Sequence, residues 1–140
     1  MHNIKFTDLI GKEFIASDGN KEKFYNCWMC AKEVYKKFGI ELSFHYLIDS
    51  EDKEGINSIF DEHKKSGKWE RIEIGNGEEL EIPCIVAIRF NSPIYVNHVG
   101  VYIGDGKFIH CRERIGVNIT EISSPAWNRR IEGYYKWIQV

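Results

Sequence analysis

An α+β domain, with a helix ahead of an antiparallel sheet, follows from three features of the sequence. One helical apolar stripe comes early in the chain, alternating apolar segments follow it, and two of those segments are joined by Gly104-Asp105-Gly106. Helices first and strands afterwards indicate separate layers rather than alternating βαβ units.

The helix spans Cys27 to Phe38. Apolar residues at 27, 30, 31, 34, 35 and 38 form one face of a 3.6-residue repeat, with Lys32, Glu33, Lys36 and Lys37 opposite. Asn26 is read as its N-cap, and Gly39 sits where a left-handed residue ends a helix. A second helix is expected from Asp52 to Ser66, with Ile56, Ile59, Phe60 and His63 at helical spacing before Gly67. Strand patterns come next. Ile72 and Ile74 alternate with charged residues, and Cys84 to Phe90 reads as a buried strand after Pro83. Asn97 to Ile103 and Lys107 to Cys111 form a hairpin across the Gly-Asp-Gly turn. Val117 and Ile119 mark a further strand, Ser124-Pro125 opens a short helix with Pro at its first position, and Tyr134 to Val140 closes the sheet.

Composition narrows the function. With 43% hydrophobic and 14% aromatic residues the chain has ample core material, so it is not disordered. Its 140 residues suit one domain spanning 1–140. A net charge of −2 lacks the basic excess of a dedicated nucleic-acid binder. No run approaches the ~18 apolar residues of a membrane span. Lys5, Asp8, Lys12, Glu13 and Asp18 interrupt the first twenty positions, so no secretory signal is read and the chain is expected to begin in the cytoplasm. The 4 cysteines are too few for a disulfide scaffold and are expected to stay as thiols.

Cys27 falls in the first turn of the predicted helix. Unsatisfied amides and the helix dipole there favour a thiolate, which makes Cys27 a candidate nucleophile; the alternative is that it simply begins the apolar stripe. His98 and His110 flank the hairpin. If Ile103 pairs with Lys107, paired numbers sum to 210 and His110 lies opposite Gly100, which shares a face with His98. The two imidazoles are then diagonal neighbours, roughly 7–8 Å apart at the backbone. A two-residue Asp105-Gly106 loop without a bulge would put them on opposite faces. A shared face therefore needs an odd loop or a bulge, and Gly104 and Gly106 permit either.

Two segments carry a family resemblance. Asn26-Cys27-Trp28 with Val34-Tyr35-Lys36-Lys37-Phe38-Gly39-Ile40 resembles the nucleophile helix of the NlpC (NlpC/P60) family of papain-like cell-wall cysteine peptidases. The stretch from His98 through Gly104-Asp105-Gly106 to His110 resembles that family's catalytic hairpin, in the same order and with the same spacing. Arg130-Ile131-Glu132-Gly133-Tyr134-Tyr135 is similar to the phage-tail-associated branch. The resemblance implies a papain-like fold with the nucleophile helix packed on an antiparallel sheet. It implies Cys27 as nucleophile, His98 as general base and His110 as the residue orienting His98, with no metal and no cofactor. The substrate it implies is a peptidoglycan stem peptide, cut between D-glutamate and a diamino acid. The Cys27 amide is the expected oxyanion donor. Apart from the resemblance, Trp28, Trp69, Trp127 and Trp137 read chiefly as core aromatics, with Trp28 the one candidate for a substrate groove. The chain departs from many members in having Asn26-Cys27-Trp28-Met29 for Asp-Cys-Ser-Gly, and in lacking the upstream Tyr-x-Trp-Gly-Gly of secreted members.

Rival readings stand beside this one. Cys27-x-x-Cys30 is half a zinc pattern, completed if Cys84, Cys111, His98 or His110 joined it. A non-catalytic wall-binding or phage-tail assembly module of the same fold is the rival from outside enzymology, with phage tail proteins as partners. Access to the wall would come from a phage particle or from lysis, and intracellular recycling of wall peptides is the further alternative.

Overall fold

The computed structural model describes residues 4–12, 23–42, 69–73, 80–89, 93–94, 96–112 and 115–138. Helix α1 spans Lys23–Lys37. The strands are β1 Trp69–Ile72, β2 Cys84–Ile88, β3 His98–Gly104, β4 Lys107–Arg112, β5 Gly116–Glu121 and β6 Ile131–Trp137, with the short helix α2, Pro125–Asn128, ahead of the last. They form one 6-stranded sheet in the order β1-β6-β2-β3-β4-β5. Every pairing is antiparallel. The expected α+β class is what the structure shows. The helix expected over Asp52 to Ser66 lies outside the described residues, as do Ile74 and Phe90 of the expected strands.

The end of α1 is where the sequence places it. Gly39 takes φ 79, the Ile40 amide donates to the Tyr35 carbonyl and the Gly39 amide to that of Lys36, at 3.1 and 2.9 Å. That pair of bonds is the Schellman closure, which satisfies carbonyls the helix leaves open. The start differs. The helix opens at Lys23, so Asn26 lies within it instead of capping it.

The pleat of the hairpin divides the molecule into two packing layers. Val99, Val101, Ile109 and Cys111 point to α1 and pack with Cys27, Cys30, Ala31, Val34 and Tyr35. Their alternates cover the other face, where Val86, Ile88 and Phe108 pack with Trp127 of α2. Tyr35 and Trp28 both meet Trp69 edge-on, at 6.1 and 6.2 Å between ring centres, and so tie α1 to β1.

The N-terminal segment has no periodicity to read, yet it protects an edge. The Gly11 amide donates to the Val117 carbonyl and the Val117 amide to that of Lys12, at 2.8 and 2.9 Å. Ile10 thereby bridges Val117 in parallel alongside β5, the outer strand of the sheet. Covering an edge strand removes a template for pairing with other chains. An Asp8–Lys37 ion pair, 2.9 Å, holds the same segment to α1. No helix among the described residues is long and apolar enough to cross a membrane.

Candidate active site

The hairpin register decides whether the histidines meet. Tyr102 pairs with Phe108 and Val101 with Ile109, then Gly104 with Lys107, so the register slips by one at Ile103. The turn is the two-residue Asp105-Gly106 loop, both residues at positive φ (53 and 70). That is the mirror-image turn favoured by strand twist. A two-residue loop alone would separate the imidazoles; the bulge restores them to one face. Gly100 makes room between them. A Cβ there would stand 2.8 Å from Phe108 Cδ2 and 3.1 Å from His110 Cβ.

His98 Nε2 and His110 Nδ1 are 2.8 Å apart, a hydrogen bond in the buried interior. His110 Nε2 lies 3.0 Å from Thr120 Oγ1, and the Thr120 hydroxyl donates to Asn118 Oδ1 at 3.1 Å. Four polar side chains thus form one line, His98–His110–Thr120–Asn118. Trp127 roofs it, with ring centres 4.8 Å from His110 and 6.1 Å from His98. The guanidinium carbons of Arg112 and Arg130 stand 5.3 and 5.8 Å from the Trp127 ring. Burial and the nearby Arg112 charge depress both imidazoles, His98 to about 3 and His110 to about 2; in His110 the His98 charge adds to this and the Asn118 side chain opposes it. Both rings are therefore neutral at physiological pH, the form a general base needs.

Cys27 departs from expectation. It is completely buried in the α1 layer, and desolvation pushes its thiol up to about 12, although the Val99 backbone amide is hydrogen-bonded to the sulfur and pulls the other way. A position in the first turn of the helix predicts a lowered thiol pKa. With the helix opening at Lys23, Cys27 is a full turn inside it. Its amide then belongs to the helix ladder and is not an open oxyanion donor. Trp28 is 3% exposed and packs in the core against Trp69, which leaves it no groove surface.

The structure thus joins His98 to His110 but does not bring Cys27 to them: the thiol lies in the α1 layer against Val99, whereas the two imidazoles are on the opposite face of the hairpin, against Phe108 and Trp127. Cys30, Cys84 and Cys111 are buried thiols. Among the described residues, no group of three or more His, Cys, Asp or Glu side chains is placed to hold a metal ion. Sequence reasoning misses Asn118 and Thr120 as site residues and reads Trp127 chiefly as core. The signal for the first two was present: Val117 and Ile119 alternate with Asn118 and Thr120, and the polar pair falls on the face His110 uses, through the register His110↔Asn118.

Residues 88–136, which contain this whole line of side chains, match the NlpC/P60 family. The matched stretch runs from the last residue of β2 into β6 and leaves out α1. Two solved structures share the chain's fold. An NLP/P60-family protein similar to a lipoprotein, from Staphylococcus aureus, has a TM-score of 0.51 at 21% identity, over 95% of this chain and 39% of that one. NlpC1 from Trichomonas vaginalis has a TM-score of 0.51 at 21% identity, over 93% of this chain and 41% of that one. The chain therefore spans about two-fifths of the length of the NlpC/P60 structures it matches. No curated protein matches it in sequence.

Proposed function

We propose that this domain is a cysteine peptidase that hydrolyses amide bonds in peptidoglycan stem peptides, of the D-glutamyl–diamino acid type. The NlpC/P60 match supports a cell-wall peptidase function in general terms. The observation that carries the reading is the 2.8 Å bond between His98 and His110, neutral, buried and fixed by a hairpin bulge.

In this reading the Cys27 thiol gives its proton to His98 as sulfur attacks the carbonyl carbon. His110 holds the ring in place. The C–N bond then breaks, the departing amine takes the proton from His98, and water releases the acyl group from sulfur. Because the resting thiol is protonated and the resting imidazole neutral, proton transfer accompanies attack; there is no standing thiolate–imidazolium pair. Reaction requires a local rearrangement that exposes Cys27 and brings it to the His98 face of the hairpin, because the resting thiol is packed in the α1 layer on the other face. Where a phage particle carries the domain, phage tail proteins are its partners.

The complete burial of Cys27 favours a second reading, a wall-binding or tail-assembly module that keeps the fold without turnover. Incubating the chain and its Cys27→Ala variant with synthetic L-alanyl-γ-D-glutamyl-diamino acid peptides separates the two. Cleavage by the parent chain and none by the variant is expected. Absence of cleavage with both, together with co-sedimentation on purified peptidoglycan, would replace the peptidase with the binding module.

A further inference from the structure

Each member of the His98–His110–Thr120–Asn118 line has a limited choice of proton positions. Asn118 presents Oδ1, which accepts only, so the single hydroxyl proton of Thr120 is committed to it at 3.1 Å. Thr120 Oγ1 can then only accept along the 3.0 Å contact to His110, which places the His110 proton on Nε2. A neutral His110 protonated on Nε2 has its lone pair on Nδ1, and the 2.8 Å contact makes that lone pair the acceptor of a proton on His98 Nε2. His98, neutral in turn, carries its lone pair on Nδ1. Each step follows from the one before it, the first is set by an amide two residues from Thr120 on β5, and the same Asn118 side chain also hydrogen-bonds His110 directly in the sense that favours a ring proton there.

We propose that Asn118 and Thr120 are positioning residues that set the tautomers of both histidines, leaving Nδ1 of His98 as the one basic nitrogen of the pair. This rests on the peptidase reading for its purpose but not for its test. If Asn118 were replaced by a side chain without an acceptor, Thr120 would be able to turn its proton toward His110. The whole line would then reverse, with protons on Nδ1 of both rings and the lone pair of His98 spent on His110. A wrongly set tautomer disables a general base without disturbing the fold.

The test is long-range ¹⁵N–¹H correlation of the imidazoles in the intact chain near neutral pH, assigned with His98→Gln and His110→Asn. The parent chain should show both histidines protonated on Nε2. Thr120→Ser and Asn118→Asp keep an acceptor in line and should keep that pattern. Asn118→Leu and Thr120→Val should raise the Nδ1–H population at His98 and His110 together. On cleaved peptide, Asn118→Leu should lower kcat roughly 10- to 100-fold with KM little changed, while Thr120→Ser retains most activity. Nδ1–H rings in the parent chain, or tautomers indifferent to Asn118→Leu and Thr120→Val, would overturn the proposal. The expected tautomers in a chain that cleaves no peptide would uphold the relay and sink the peptidase instead.

Discussion

Acid should loosen this fold well before its carboxylates titrate. His98 and His110 are depressed to about 3 and about 2 by burial, against an unfolded value of 6.5. Between those limits the unfolded chain binds more protons than the folded one, so stability falls as pH falls, by about 1.4 kcal/mol per pH unit for each histidine. Nothing is lost above about pH 7, where both states are neutral. At about pH 5 the loss is about 2 kcal/mol per imidazole and about 4 for the pair, and it needs only that both folded values lie well below 5. Against a typical total of ~5–15 kcal/mol this is a large fraction. Urea midpoints measured across this range should fall steadily, and the double variant His98→Gln, His110→Asn should flatten the dependence. Imidazole resonances of the parent chain supply a second readout, with no titration of either ring expected down to about pH 5. A flat stability profile, or either ring titrating near 6.5, would refute the inference that the pair is buried and neutral.

Other expectations concern single positions. Iodoacetamide should label Cys27 in the folded chain far more slowly than a free thiol and at a rate that tracks local opening, so that mild urea accelerates it; fast labelling near neutral pH would contradict its burial. Gly100→Ala should cost about 1–3 kcal/mol in denaturant unfolding, because the added methyl overlaps Phe108 and crowds His110, and it should weaken the coupling between the two imidazoles. Gly39→Ala and Gly116→Ala both force alanine to positive φ, near 80, but only at Gly116 does the new Cβ strike backbone, 2.5 Å from the Gly11 carbonyl oxygen. Gly39→Ala should therefore cost about 1–2 kcal/mol in urea unfolding and Gly116→Ala clearly more, with the N-terminal segment released to proteolysis.

The features legible in the sequence are those that short stretches of chain decide. Gly39 ends α1 because a left-handed residue is cheap only there, and the Gly104-Asp105-Gly106 turn forces β3 and β4 into a hairpin whatever surrounds it. The histidine spacing was readable as a conditional: a shared face if a bulge occurred. The α1 start was misplaced because Asn26 is a good cap in isolation, whereas Phe24, three residues before Cys27, continues the apolar stripe past it. What sequence position could not convey was environment. A cysteine near a helix start is expected to ionise readily, yet desolvation by the completed α1 layer raises its pKa, against the opposing hydrogen bond from the Val99 amide. The bulge at Ile103, the cover of β5 by Ile10 to Lys12, and the meeting of His110 with Thr120 all join residues far apart in the chain or balance twist against packing. Local propensity acts over a few bonds, whereas desolvation and hydrogen bonding depend on what the completed fold brings within a few ångströms; that is why the chain announced its hairpin and its two histidines but not the state of its thiol.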